Sequence, residues 1–347
     1  MSLRSRGVLP PLVTVAALVF GAAACGSSSS GTAMPPSNTT PPTAPAGGPT
    51  TPGPTTPTAT DSPAPVAAAA ASGDTSTVIR AVASIDAWGS LLKQLGGNRV
   101  VTTSIISSPD VDPHDYEPTT ADGVTIAKAQ LVVVNGVGYD DWAAKAVAAN
   151  PASGRAVIDV GQLVGVPQGG NPHQWYSHDS VYKVIDAITA DLQRLDPADA
   201  PYFAQQKTRL ETVAFKDYNA VEQEIATKHK GDPVGASESI ASPLADSVGL
   251  DMKTPYSFLK AVSEGTDPAP VDIAMINRQI AGKQIKVYLD NVQNSTPDVA
   301  AQVAAAKSAG VPVVAITETL SPRGATFQDW QSAQLQALEN ALDGTGK

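Results

Sequence analysis

A strand–helix alternation runs once along this chain, stops at a long helical tract, and then starts again, and this pattern limits the fold more than any other feature. In the first run, Thr77–Ala83, Val100–Ile106, Leu131–Val134 and Ala156–Val160 are short apolar stretches of strand length. Between them lie helical stretches: Ile85–Leu95 behind a capping Ser84 and ahead of Gly96-Gly97, then Thr120–Ala129 and Asp140–Ala149. The second run places strands at Pro233–Ala236, Ile285–Asp290 and Val311–Ile316. Its helices fall at Ile240–Val248, Val271–Lys283, Pro297–Ala309 and Thr326–Leu342. Strands that alternate with helices at this spacing imply parallel sheets with crossover helices.

The tract between the runs begins with Asp179–Leu195, where Val181, Val184, Ile185, Ile188 and Leu192 repeat at helical spacing until Asp196-Pro197 breaks it. Ala198–His229 then has no Gly, no Pro after Pro201, and apolar residues at Leu210, Val213, Ala214, Val221 and Ile225. As a single helix it would be about 48 Å long, a strut between two lobes; the alternative is two ordinary helices. The expected architecture is therefore α/β, with lobes at 77–196 and 230–347, mainly parallel sheets, and a long rigid linking helix at 197–229. Ligands of open parallel sheets bind at the carboxyl ends of the strands, which here would face a cleft between the lobes.

Residues 1–76 contribute to neither lobe. Arg4 and Arg6 precede an apolar stretch, Leu12–Phe20, and the small residues Gly21 to Ala24, the pattern of an export signal over 1–24. Cys25, the only cysteine, follows at once, where bacterial lipoproteins carry their lipid, although Ala22 stands in place of the usual Leu. From 26 to 76 the chain is mostly Ser, Thr, Pro, Gly and Ala, with Asp61 and Asp74 the only charges. Such a segment cannot bury enough apolar surface to offset its ordering entropy, so 25–76 reads as a lipidated cysteine on a disordered tether. The single cysteine excludes an internal disulfide and Cys-based metal clusters. A net charge of −10 argues against a nucleic-acid partner.

With four histidines in all, each can be weighed singly. His114 and His173 lie just past the second and fourth strands, each stiffened by a preceding proline. Neutral imidazole is the commonest side-chain metal ligand. Glu238 and Glu318 occupy matching strand ends in the second run. Two neutral imidazoles and two carboxylates sum to −2 and would balance a divalent cation such as Mn, Fe, Co or Zn. His178 reads as a surface histidine or a support behind the ligands, His229 as a solvent-facing histidine, Trp175 as packing beside the site, and Asp290 as either a support for the ligands or a solvated loop acid.

These residues also carry a family likeness. Asp112-Pro113-His114-Asp115-Tyr116-Glu117-Pro118, Val134-Asn135-Gly136 with Trp142, Asn171-Pro172-His173-Gln174-Trp175, Ser237-Glu238 with Ala241, and Thr317-Glu318-Thr319-Leu320 occur in order. Together they resemble the motifs of bacterial zinc/manganese solute-binding lipoproteins that feed ABC importers (the cluster A-I binding proteins). The resemblance spans roughly 77–343. It implies two α/β lobes bridged by a rigid helix, with one metal ion between them held by His114, His173, Glu238 and Glu318. Glu318 stands where Asp is usual, Ser242-Pro243 where aromatics are usual, and the His-rich loop of many zinc-specific members is absent. Glu238 in place of His resembles the manganese-type members, so Mn2+ is favoured slightly over Zn2+.

The implied function is capture of a divalent metal outside the cytoplasm and its delivery to a membrane permease and ATPase. The implied protein is a monomer anchored by lipid on Cys25. Two other readings stand beside it: a surface adhesin with a structural metal site, and a metallohydrolase. Against the second, the chain has no HExxH motif and no spare acid placed as general base.

Overall fold

The computed structural model describes residues 78–109 and 112–344. The expected leader, Cys25 and the tether to residue 76 lie outside the described residues.

The chain enters a first parallel sheet. In order come β1 (Ile79–Ile85), α1 (Asp86–Gly96), β2 (Val100–Ile106), α2 (Thr120–Ala127), β3 (Leu131–Val134), α3 (Asp141–Ala149) and β4 (Ala156–Asp159), with the strands lying β2-β1-β3-β4. β3 is buried at all four positions, as a strand covered on both faces must be. Ser84 belongs to β1 rather than capping α1, because the strand runs two residues further than its apolar run suggested. Thr119 and Asp122 form the reciprocal capping box that starts α2.

After α4 (Val160–Val164) and the amphipathic α5 (His178–Leu195), the expected linking helix is broken into parts. It consists of α6 (Ala200–Arg209), a π-helical turn at Leu210–Ala214, and α7 (Lys216–Lys228). The Phe215 N–H bonds to Leu210 O at 2.9 Å, spanning five residues instead of four. The extra residue shifts the helical phase. Leu210 and Phe215 thereby both face inward, Phe215 stacks on Phe327 at 5.8 Å, and Val213 is left 66% exposed. A strict 3.6-residue period had placed Val213 on the buried face.

The second sheet repeats the first. β5 (Pro233–Ala236), α8 (Ala241–Val248), β6 (Asp251–Met252), α9 (Tyr256–Ser263), α10 (Pro270–Ala281), β7 (Val287–Asn291), α11 (Pro297–Ala309), β8 (Val313–Ile316) and α12 (Phe327–Leu342) give the order β6-β5-β7-β8, again all parallel. β6 and α9 have no counterpart in the sequence reading. β6 is two residues long, too short to show any periodicity.

One contiguous apolar core joins residues of both sheets with α5, α6, α7 and α12. Hydrogen bonds stitch the second half back onto α1. The Phe327 N–H donates to Ser90 Oγ at 2.9 Å, Gln94 and Gln328 exchange amide bonds at 3.1 and 3.0 Å, and the Leu320 N–H donates to the Asp86 carboxylate at 3.2 Å. The carboxyl ends of the two sheets are thus fixed across from one another. Among the described residues no helix is long and apolar enough to cross a membrane.

Candidate metal centre

Both histidines are presented by the same local device. In Asp112-Pro113-His114 the Asp112 Oδ1 accepts the His114 backbone N–H at 2.9 Å. In Asn171-Pro172-His173 the Asn171 Oδ1 accepts the His173 N–H at 3.0 Å. Each is a short polar side chain folding its own backbone two residues on, with proline fixing the residue between. The first loop follows β2 and the second lies between α4 and α5, beyond β4, so the two loops follow the two edge strands of the first sheet. Glu238 leaves the end of β5 and Glu318 the end of β8.

The structure brings these four side chains together, with one donor atom of each within 4.8 Å of every other. His114 Nε2 lies 3.3 Å from His173 Nε2. Glu238 Oε1 is 3.9 and 3.8 Å from the two imidazole nitrogens, and Glu318 Oε2 is 3.6 Å from both. Laid flat, those five separations would put the two carboxylate oxygens about 6.7 Å apart, so the donors form a tetrahedron and not a plane. Five edges of 3.3–3.9 Å and a sixth of up to 4.8 Å put the equidistant point at most about 2.5 Å from each corner, slightly longer than the bonds of about 2.0–2.2 Å that zinc makes to N and O.

Comparisons with known proteins identify the family. Residues 81–341 match the family model described as zinc-uptake complex component A, periplasmic. The chain belongs to that family. Among curated relatives, a manganese-binding lipoprotein of Halalkalibacterium halodurans is 28% identical over 36% of this chain and 42% of its own length. A high-affinity zinc uptake system protein of Bacillus subtilis is 23% identical over 67% of this chain and 78% of its own. The fold is that of an Mn-bound periplasmic metal-binding protein from Candidatus Liberibacter asiaticus, with TM-score 0.64 and 18% identity over 76% of this chain and 99% of that one. It is likewise that of the solute-binding protein FpvC of Pseudomonas aeruginosa in complex with Mn2+, with TM-score 0.63 and 20% identity over 78% and 100%.

The four candidate ligands differ in exposure. His173, Glu238 and Glu318 are fully buried, whereas the His114 side chain is 21% exposed. His114 lines a cleft of about 590 Å³ together with Tyr139, Ser239, Ser263 and the glycines at 169 and 170. Access to the centre therefore runs past His114. His173 is held from behind, since its Nδ1 lies 2.9 Å from Asn171 Oδ1, an acceptor, which puts the ring proton on Nδ1 and turns the Nε2 lone pair inward. Trp175 packs edge-on against the His173 ring at 5.3 Å, where the sequence put it.

Charge is finely set. Burial pushes Glu238 well above the usual carboxylate range, and the neighbouring Glu318 charge adds to it. Burial acts upward on Glu318 too, but the adjacent His173, the charge of His114 and the Tyr139 hydroxyl outweigh it and hold Glu318 at about 2. Burial also lowers His173, which favours neutral imidazole. Two adjacent buried acids resist ionising together, and the hydrogen bonds and charges around Glu318 favour it as the ionised member.

Three residues correct the sequence reading. Asp290 does not support the site. Successive strand residues face opposite sides, and Asn291 is the one turned toward the carboxylates. Tyr139 was missed, although its hydroxyl donates to Glu318 Oε2 at 2.9 Å; it lies in the loop after β3 and has no motif spacing of its own. His229 is not solvent-facing. It is 6% exposed and lies between Asp232 at 3.0 Å and Asp343 at 3.2 Å, a staple between the ends of α7 and α12. His178 lies away from the centre, paired with Glu222 at 2.5 Å.

Proposed function

We propose that this chain is the extracytoplasmic solute-binding component of an ABC importer, which captures one Mn2+ or Zn2+ ion and delivers it to a membrane permease driven by an ATPase. His114, His173, Glu238 and Glu318 are the ligands. The observation that carries this reading is the convergence of two imidazole nitrogens and two carboxylate oxygens, all within 4.8 Å of one another, at the mouth of two facing sheets. Four protein donors fill the positions around the ion and leave none open for a reacting water, which suits a carrier and not a hydrolase. Bound metal neutralises the charge pair and displaces the proton from Glu238, so capture releases protons and weakens in acid.

Lipid on Cys25 and a tether through residue 76 would keep the monomeric receptor near its permease while letting it sample the surrounding space. The family match and the relatives named as zinc-uptake and manganese-binding proteins support the cargo class.

Elemental analysis and native mass spectrometry of protein from metal-replete cells test the reading, with one ion per chain expected. His114→Ala and Glu238→Ala should each lose most of the affinity. Wild-type binding by both variants would refute the ligand set.

A further inference from the structure

The residue between the two carboxylates is Asn291, at the end of β7. It is fully buried, and its side-chain nitrogen donates to both acids, to Glu238 Oε2 at 2.6 Å and to Glu318 Oε1 at 2.9 Å. Its orientation is fixed, because Oδ1 accepts the Gln293 backbone N–H at 3.1 Å. A flipped amide would aim an oxygen at two carboxylate oxygens. The Asn291 N–H itself is held by Ser237 Oγ at 2.9 Å, so the clamp is anchored at both ends.

The oxygens that Asn291 holds are the outer ones. The inner pair, Glu238 Oε1 and Glu318 Oε2, are those at 3.6–3.9 Å from the imidazoles, and each accepts one further hydroxyl, from Ser263 at 2.8 Å and Tyr139 at 2.9 Å. An oxygen with one accepted hydrogen bond keeps a lone pair for metal. To chelate through both oxygens, either glutamate would have to break its bond to Asn291 and leave a buried amide N–H unpaired.

We infer that Asn291 sets the coordination number of the bound ion: by holding the outer oxygen of both Glu238 and Glu318, it makes each donate through one oxygen and so builds a four-coordinate N2O2 site. This rests on the metal-capture reading above. Its consequence is selectivity. Zn2+ accepts four tetrahedral N and O ligands readily. Mn2+ is suited by more numerous oxygen ligands, which two glutamates held to one oxygen each do not supply. The clamp therefore favours Zn2+ over Mn2+, against the direction suggested by Glu238 and the absent His-rich loop.

The test is cobalt substitution of the full mature protein, followed by competition titrations of Zn2+ and Mn2+ on wild type and Asn291→Ala. Wild type with Co2+ should show the intense visible bands of tetrahedral Co2+. Asn291→Ala should still bind one Co2+ with weakened bands, and its preference for Zn2+ over Mn2+ should fall by about tenfold, the scale on which residues behind metal ligands act. If Asn291→Ala does not fold, Asn291→Ser takes its place, and the wild-type spectrum decides the coordination number alone. Weak six-coordinate bands in wild type, or a folded variant with an unchanged spectrum and an unchanged Zn2+/Mn2+ ratio, would overturn the inference while leaving metal capture intact. Failure of wild type to bind Co2+, Zn2+ or Mn2+ stoichiometrically would remove the capture reading, and the inference with it.

Discussion

Replacing Glu238 with Gln should separate the cost of the empty site from the strength of the filled one. Glu238 is buried and held well above the usual carboxylate range, by burial first and by Glu318 second. In the unfolded chain it titrates at an ordinary 4.5. A group whose folded pKa is raised contributes stability that is full below its unfolded pKa and is lost as pH climbs toward the folded value. The metal-free wild type should therefore weaken from about pH 5 upward, by about 1.4 kcal/mol per pH unit while Glu238 keeps its proton. Each pH unit over which that proton is kept corresponds to roughly 3–6 °C in melting temperature for a folded unit of this size. Glu238→Gln has no proton to hold and lacks this slope. Asp86, pushed up to about 7 by burial, titrates in the same window in both proteins and cancels in the comparison. The assay is thermal melting of metal-free wild type and Glu238→Gln across this range, paired with calorimetry of Zn2+ binding in buffers of different ionisation enthalpy. Wild type should release about one proton more per ion than the variant near neutrality. Parallel melting profiles with equal proton release would show that Glu238 does not carry the proton of the pair, and the charge argument would fail.

Three further outcomes follow from the packing around the site and the helix ends. Tyr139→Phe keeps the ring packed against His114, His173 and Trp175 but removes the hydroxyl from Glu318; chelator competition should show about a tenfold loss of metal affinity with little change in melting. Gly136 has φ 73°, and a Cβ there would lie 2.4 Å from Asp159 Oδ1, so Gly136→Ala should cost about 1–3 kcal/mol by denaturant titration. His229→Ala removes the staple between Asp232 and Asp343 and should cost about 1–3 kcal/mol while metal affinity, measured in the same titration, stays at wild type.

Sequence by itself determined the α/β class, the restart of the pattern after α5, and the places of His114, His173, Glu238 and Glu318. These depend on local chemistry: short apolar runs, Asx-Pro-His turns that fold on their own side chains, and acids placed just past strands. Tertiary structure decided what depends on phase and on distant partners. Asn291 rather than Asp290 faces the carboxylates because a strand alternates sides at each residue, and the expected strand end fell one residue short. The long helix carries a π turn because Phe215 reaches Phe327, more than a hundred residues on, and the gain from that packing outweighs an unbroken helical period. His229 looks like a surface residue between two lysines until Asp343, brought back by α12, lies against it. The number of oxygens each glutamate can offer is likewise absent from the sequence, since it depends on one amide lying within hydrogen-bond reach of two acids that stand 80 residues apart in the chain.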